Sequence, residues 1–90
     1  MIQKDRSIIS GRQIAAARVL LAMGQAELAA AASISVPTLK RMEASEGPAT
    51  GMANNVRAVV GALEAAGLEF IPENGGGAGI RFRERKASAE

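Results

Sequence analysis

The chain has 90 residues and a formal net charge of +2, enough for one domain around a single small core and too few for two. It contains no Cys, His, Tyr or Trp. That excludes disulfides, thiolate chemistry, Cys- or His-based metal sites and the usual general base near neutral pH.

Residues 1–9 mix polar and apolar types without a helical period and read as a short extended arm. Ser10-Gly11-Arg12-Gln13 matches a capping box, in which the serine hydroxyl and the Gln13 side chain satisfy each other's backbone N–H groups. Ile14, Ala17, Arg18 and Leu21 then recur at helical spacing, and the helix is expected to end near Met23-Gly24, with Gly24 as the next N-cap. A second helix is expected from Gln25 to about Ala31, with Leu28 and Ala29 facing inward. After the break at Ser33-Ile34-Ser35, a third helix is expected over Val36–Met42, capped by Ser35, with Pro37 in the first turn. Leu39 and Met42 face its core side, and Thr38, Lys40 and Arg41 point elsewhere.

Residues 45–51 form a loop by composition. A fourth helix is expected from about Met52 to Ala66, with Val56, Val59, Val60 and Leu63 inward and Gly67 as its C′ residue. The period then changes to two. Leu68–Ile71 and Ile80–Arg83 alternate around a glycine-rich segment, the pattern of a hairpin or of a strand that pairs with another chain. Residues 84–90 read as a tail.

Nineteen of the 43 apolar residues are alanine and two are aromatic, so the core buries little area per residue and a partner chain is expected to add to it. No apolar run approaches the roughly 18 residues of a membrane span, and no signal-peptide core follows Lys4 and Arg6. The expected location is cytoplasmic, and nucleoid-associated when DNA is bound. No spacing of carboxylates or lysines argues for catalysis, so the chain is expected to be a non-enzyme without cofactor or metal. An isoelectric point of about 9.7 permits nucleic-acid binding and leaves the decision to where the cations sit.

Two short helices across a tight turn are a helix-turn-helix arrangement. The stretch from Arg18 through Gln25, Leu28-Ala29, Ser33 and Thr38-Leu39-Lys40-Arg41 to Glu43 resembles the Cro/CI (XRE) family of DNA-binding regulators, over roughly residues 10–66. The resemblance implies a mainly α, compact four-helix, lambda-repressor-like domain over residues 10–67. A short C-terminal β-strand or hairpin at 68–83 would follow it. It also implies that Arg18 pairs with Glu43; a charge within an apolar stripe needs such a partner on physical grounds as well. Gln25, Lys40 and Arg12 would meet phosphates. Val36, Pro37, Thr38 and Arg41 would face the bases, with Arg41 able to bind guanine O6 and N7 bidentately. Two positions depart from the family. Gly24 stands where Ser, Thr or Asn is common, and Ser33 where the turn often has glycine.

The end of the chain resembles a narrower group of small bacterial regulators that close with Phe-Ile-Pro-Glu-Asn-Gly-Gly-Gly and a basic strand. Three readings stay open for it. Phe70, Ile80 and Phe82 cover the fourth helix; or the strands pair across a two-fold axis and build a dimer; or Arg81, Arg83, Arg85 and Lys86 add phosphate contacts. The glycine run lacks the strand-to-helix context and lysine of a phosphate-binding loop, so it reads as turn chemistry. Together these features predict a regulator of transcription, a repressor in the simplest form. It would bind duplex DNA as a homodimer at an inverted repeat, with reading helices ~34 Å apart. The alternative is an antitoxin-type or other regulator that binds a protein partner and its own promoter.

Overall fold

A computed structural model describes residues 9–73 and 75–84; residues 1–8 of the expected arm at 1–9 and 85–90 of the expected tail at 84–90, with Arg85 and Lys86, lie outside them. The chain forms α1 (Gly11–Leu20), α2 (Gln25–Ala32), α3 (Val36–Glu43), α4 (Ala53–Ala65), β1 (Leu68–Ile71) and β2 (Gly79–Phe82). It is a mainly α, four-helix domain closed by an antiparallel two-stranded hairpin. Among the described residues no single helix is long and apolar enough to cross a membrane.

Ser10 opens α1 as a capping box. Its Oγ accepts from the Gln13 backbone N–H at 3.0 Å, and Gln13 Oε1 accepts from the Ser10 N–H at 2.9 Å. The helix stops earlier than expected from Gly24. Ala22, at φ 60°, takes the left-handed position, and the N–H groups of Ala22 and Met23 return to the carbonyls of Val19 and Arg18. That is the Schellman pattern with alanine where glycine is usual. Gly24 keeps the extended conformation of an N-cap and gives α2 no side-chain cap. The chain bends by 110° between α1 and α2. Ser33 ends α2 in the same left-handed way, at φ 60° and ψ 42°, and Ser35 caps α3 by accepting from the Thr38 N–H.

The core is drawn from five of the six elements. Ile14 and Ala17 come from α1, Leu28, Ala29 and Ala32 from α2, Leu39 and Met42 from α3, Val59 and Leu63 from α4, and Leu68 from β1. Three of these are alanines, so helices lie close and bury modest area each. Gly11 marks the tightest approach. A Cβ there would run into the backbone oxygens of Met42 and Ser45 at the end of α3, and its N–H donates to the Gly47 carbonyl at 3.1 Å. Ile9, expected in the arm, is tied in as well: its carbonyl accepts from the Ala49 N–H at 2.8 Å.

β1 and β2 pair Leu68 with Phe82, Glu69 with Arg81, Phe70 with Ile80 and Ile71 with Gly79. The second strand therefore runs one residue earlier than the alternation suggested, ending at Phe82 with Arg83 just beyond it. Phe70, Ile80 and Phe82 are half-buried against the helical core, the first of the three readings for this segment. The hairpin is also fastened by polar contacts. Gln13 Nε2 donates to the Gly79 carbonyl at 3.1 Å, and Arg83 donates to the carbonyls of Glu64 and Leu68 at 2.8 and 3.4 Å.

Candidate nucleic-acid interface

The two faces of α3 differ sharply in chemistry. Leu39 and Met42 are completely buried, which fixes the rotation of the helix about its axis. On the opposite side Pro37 and Arg41 are exposed one turn apart; Val36 and Lys40 make a second such row, with Lys40 exposed and Val36 half-buried. Thr38 is half-buried at the flank, and its Oγ1 accepts from the Ser35 hydroxyl at 2.8 Å, leaving its own O–H to donate outward. The side chains of Lys40 and Arg41 make no hydrogen bond or ion pair among the described residues. Two unpaired cations thus sit on the outward side of an eight-residue helix, where they also suit the negative end of its dipole.

Behind this face lies one carboxylate that accepts three hydrogen bonds from two side chains. Arg18 Nε and Nη2 donate to Glu43 Oε2 and Oε1 at 2.8 and 3.1 Å. Gln25 Nε2 donates to the same Oε1 at 3.0 Å, while Arg18 Nη1 donates to the Met23 carbonyl at 3.0 Å. Glu43 therefore joins the end of α1, the α1–α2 turn, the start of α2 and the end of α3. The side chains of Arg18 and Glu43 are only 17% and 7% exposed, and shielding from water strengthens a bidentate pair. The hydrogen bond to Glu43 raises the Arg18 pKa above its ordinary value, against the opposing effect of burial. A raised folded-state pKa means that this contribution is complete in the neutral range and is lost as the pH rises into strong alkali.

Gln25 thus has a structural partner that its expected phosphate contact did not require. Its amide is turned inward to Glu43, and the side of α2 that faces outward there is a helix start without a side-chain cap. Arg12 is exposed on the first turn of α1 and also has no described partner.

The hairpin cations are placed differently from those of α3. Arg81 pairs with Glu69 across the strands at 3.3 Å, both side chains well exposed. Arg83 is spent on the Glu64 carbonyl at the end of α4 and the Leu68 carbonyl at the start of β1. Both hairpin arginines therefore have partners within the fold, whereas Lys40 and Arg41 of α3, like Arg12 of α1, have no side-chain partner among the described residues.

Sequence reasoning overlooked three residues of this arrangement. Gly11 lets α1 lie against the end of α3, Gln13 reaches from the capping box to β2, and Ala22 turns the chain so that the Met23 carbonyl faces Arg18. Only Gln13 carried a local signal, its capping-box position. No known family model matches the chain, and no curated protein sequence matches it.

Proposed function

We propose that this chain is a sequence-specific duplex-DNA-binding regulator that acts as a homodimer, with α3 as its reading helix. One observation carries the reading: α3 buries Leu39 and Met42 and turns Lys40 and Arg41 outward without partners. A helix of about 10–12 Å diameter enters the major groove. There an arginine reads guanine, a lysine meets phosphate, and Val36 and Pro37 supply apolar contact to a thymine methyl. The tie from Glu43 to Arg18 and Gln25 holds α3 against α2, so the reading face and the uncapped start of α2 are presented as one rigid unit.

With few polar groups on α3, base contacts are sparse and an inverted repeat read by two copies supplies the rest of the specificity. Occupancy of a promoter is the simplest output of such a unit, which makes repression the expected effect.

The test is selection of bound sites from random duplexes with the full chain. The expected result is an enriched motif with two-fold symmetry, and Arg41→Ala should weaken binding to it by about 1–3 kcal/mol and relax one base position. Lys40→Ala should weaken all duplexes alike and lower the salt dependence by about one ion. Recovery of no motif would overturn the reading.

A further inference from the structure

The first turn of α3 commits its hydrogen-bonding groups in a short relay. Ser35 Oγ accepts from the Thr38 backbone N–H at 3.2 Å, and the Ser35 hydroxyl donates to Thr38 Oγ1 at 2.8 Å. Val36 has no polar side-chain atom, and Pro37 lacks even a backbone N–H. Among Ser35, Val36, Pro37 and Thr38, the Thr38 O–H is therefore the one side-chain hydrogen left for a partner.

We infer that Thr38 is a specificity-determining residue of the reading helix, a hydrogen-bond donor that Ser35 sets to face an acceptor on a base edge. The inference rests on the proposed binding of duplex DNA and adds which bases the first turn of α3 accepts. A hydroxyl can in general donate or accept. Here Oγ1 already accepts from Ser35, which strengthens the Thr38 O–H as a donor and leaves Oγ1 a poorer acceptor. In the major groove guanine offers N7 and O6, adenine N7 and thymine O4 as acceptors, whereas cytosine offers only its amino group, a donor. Thr38 therefore favours guanine, adenine or thymine on the strand it faces and disfavours cytosine.

A phosphate is the less suited partner. An anion at a helix start is held by free backbone N–H groups, and here Pro37 has none and that of Thr38 is taken by Ser35. The place of the discriminated base in the motif follows from the helix. Thr38 and Arg41 are three residues apart on one side of α3, which is about 4.5 Å along the axis. Successive bases of a strand are about 3.4 Å apart. The position that excludes cytosine thus lies one to two steps from the guanine read by Arg41.

A single-base scan of the duplex motif selected by the full chain tests this. Thr38→Val keeps the shape of the side chain without its O–H. It should lower affinity about fivefold for each half-site and admit cytosine at that one position, with unchanged circular dichroism. Thr38→Ser should restore both affinity and discrimination. Ser35→Asn keeps a good N-cap but sets an acceptor oxygen toward Thr38, which draws the Thr38 O–H inward. It should also admit cytosine there and add little when combined with Thr38→Val, a coupling that a purely structural Ser35 would not show. Thr38→Val with unchanged affinity and base preference overturns the inference. So does a Thr38→Val that weakens every duplex alike, the mark of a phosphate contact. A motif that depends on Arg41 and not on Thr38 overturns this inference alone, whereas recovery of no motif removes the proposed function with it.

Discussion

The unit of α1, α2 and α3 and the C-terminal hairpin face the same shortage of apolar area and are fastened by different chemistry. Around α3 the fastening is ionic: one carboxylate, Glu43, takes donors from Arg18 and Gln25 at the meeting point of three helices. Around the hairpin it is a pair of side-chain donors on backbone carbonyls, Gln13 on Gly79 and Arg83 on Glu64, over a cover of half-buried Phe70, Ile80 and Phe82. An ion pair with little exposure is directional and fails badly when halved, so it fixes where α3 points. Hydrogen bonds to carbonyls fail more gently: loss of the neutral Gln13 amide bond costs about 1 kcal/mol, and the Arg83 guanidinium is exposed and returns to water when its carbonyls are lost. The part proposed to meet DNA is therefore the part whose position is most tightly specified.

Removing the carboxylate should break the comparison most severely. Glu43→Ala leaves Arg18 charged, poorly exposed and paired only with the Met23 carbonyl, and the expected loss is about 3 kcal/mol in chemical denaturation. The double change Arg18→Met, Glu43→Leu should recover most of that loss, since a well-packed apolar pair often equals a buried ionic one. A loss below about 1 kcal/mol for Glu43→Ala would mean that Leu39 and Met42 alone hold α3, and the contrast with the hairpin would disappear.

Gly11→Ala comes next, at about 2–3 kcal/mol. The added methyl would lie 2.7 Å from the Ser45 carbonyl oxygen and press on that of Met42, so α1 must move off the end of α3 and strain the Arg18–Glu43 geometry with it. Gly61→Ala is the internal control, because its Cβ meets nothing in the chain and should raise the stability of the monomer slightly. Equal effects at the two glycines would show that α1 and α3 are not in the close approach described.

These residues also show what the sequence makes legible. The helices were readable because their apolar spacing, capping box and Ser35 cap are local signals; an arginine in an apolar stripe announced that Arg18 needs a partner, while the choice of Glu43 came from the family resemblance alone. The limits lay where distance in sequence hides contact. Gln13 and Gly79 are 66 residues apart, and nothing at either position announces the other. The α1 boundary failed for a different reason. Glycine is the expected breaker, so Gly24 drew the end of the helix past Ala22, whose left-handed turn is imposed by the Schellman hydrogen bonds and not by its own preference. Arg81 and Arg83 formed a basic cluster on paper that the fold spends on Glu69 and on the carbonyls of Glu64 and Leu68.

Gln13 permits a sharper cut at the hairpin side. Gln13→Ala removes both the acceptor for the Ser10 N–H and the donor to Gly79, and should cost about 2 kcal/mol. Gln13→Glu keeps the acceptor and the capping box but sets a carboxylate against the Gly79 carbonyl. Amide hydrogen exchange should therefore speed up in the hairpin and stay slow in α1 for Gln13→Glu, and speed up in both for Gln13→Ala. Equal protection of the hairpin in wild type and Gln13→Glu would show that apolar cover alone retains it.

The smallest effect runs in the opposite direction. Ser33 and Ala22 both hold φ at 60°, a conformation that costs a residue with a Cβ on the order of 1 kcal/mol. Glycine removes that cost but enlarges the freedom of the unfolded chain, which returns part of the gain. Ser33→Gly should therefore stabilise by somewhat less than about 1 kcal/mol, seen as a rise of a few degrees in Tm. It leaves Ser35 and Thr38 in place to cap α3, so affinity for a selected duplex should not change. Ala22→Gly should give a similar rise. It stands next to Met23, whose carbonyl receives Arg18, so a looser turn there should also weaken the hold on Glu43. A fall in Tm for Ala22→Gly alongside a rise for Ser33→Gly would locate the cost of flexibility at the ionic tie, which is where the contrast between the two fastenings places it.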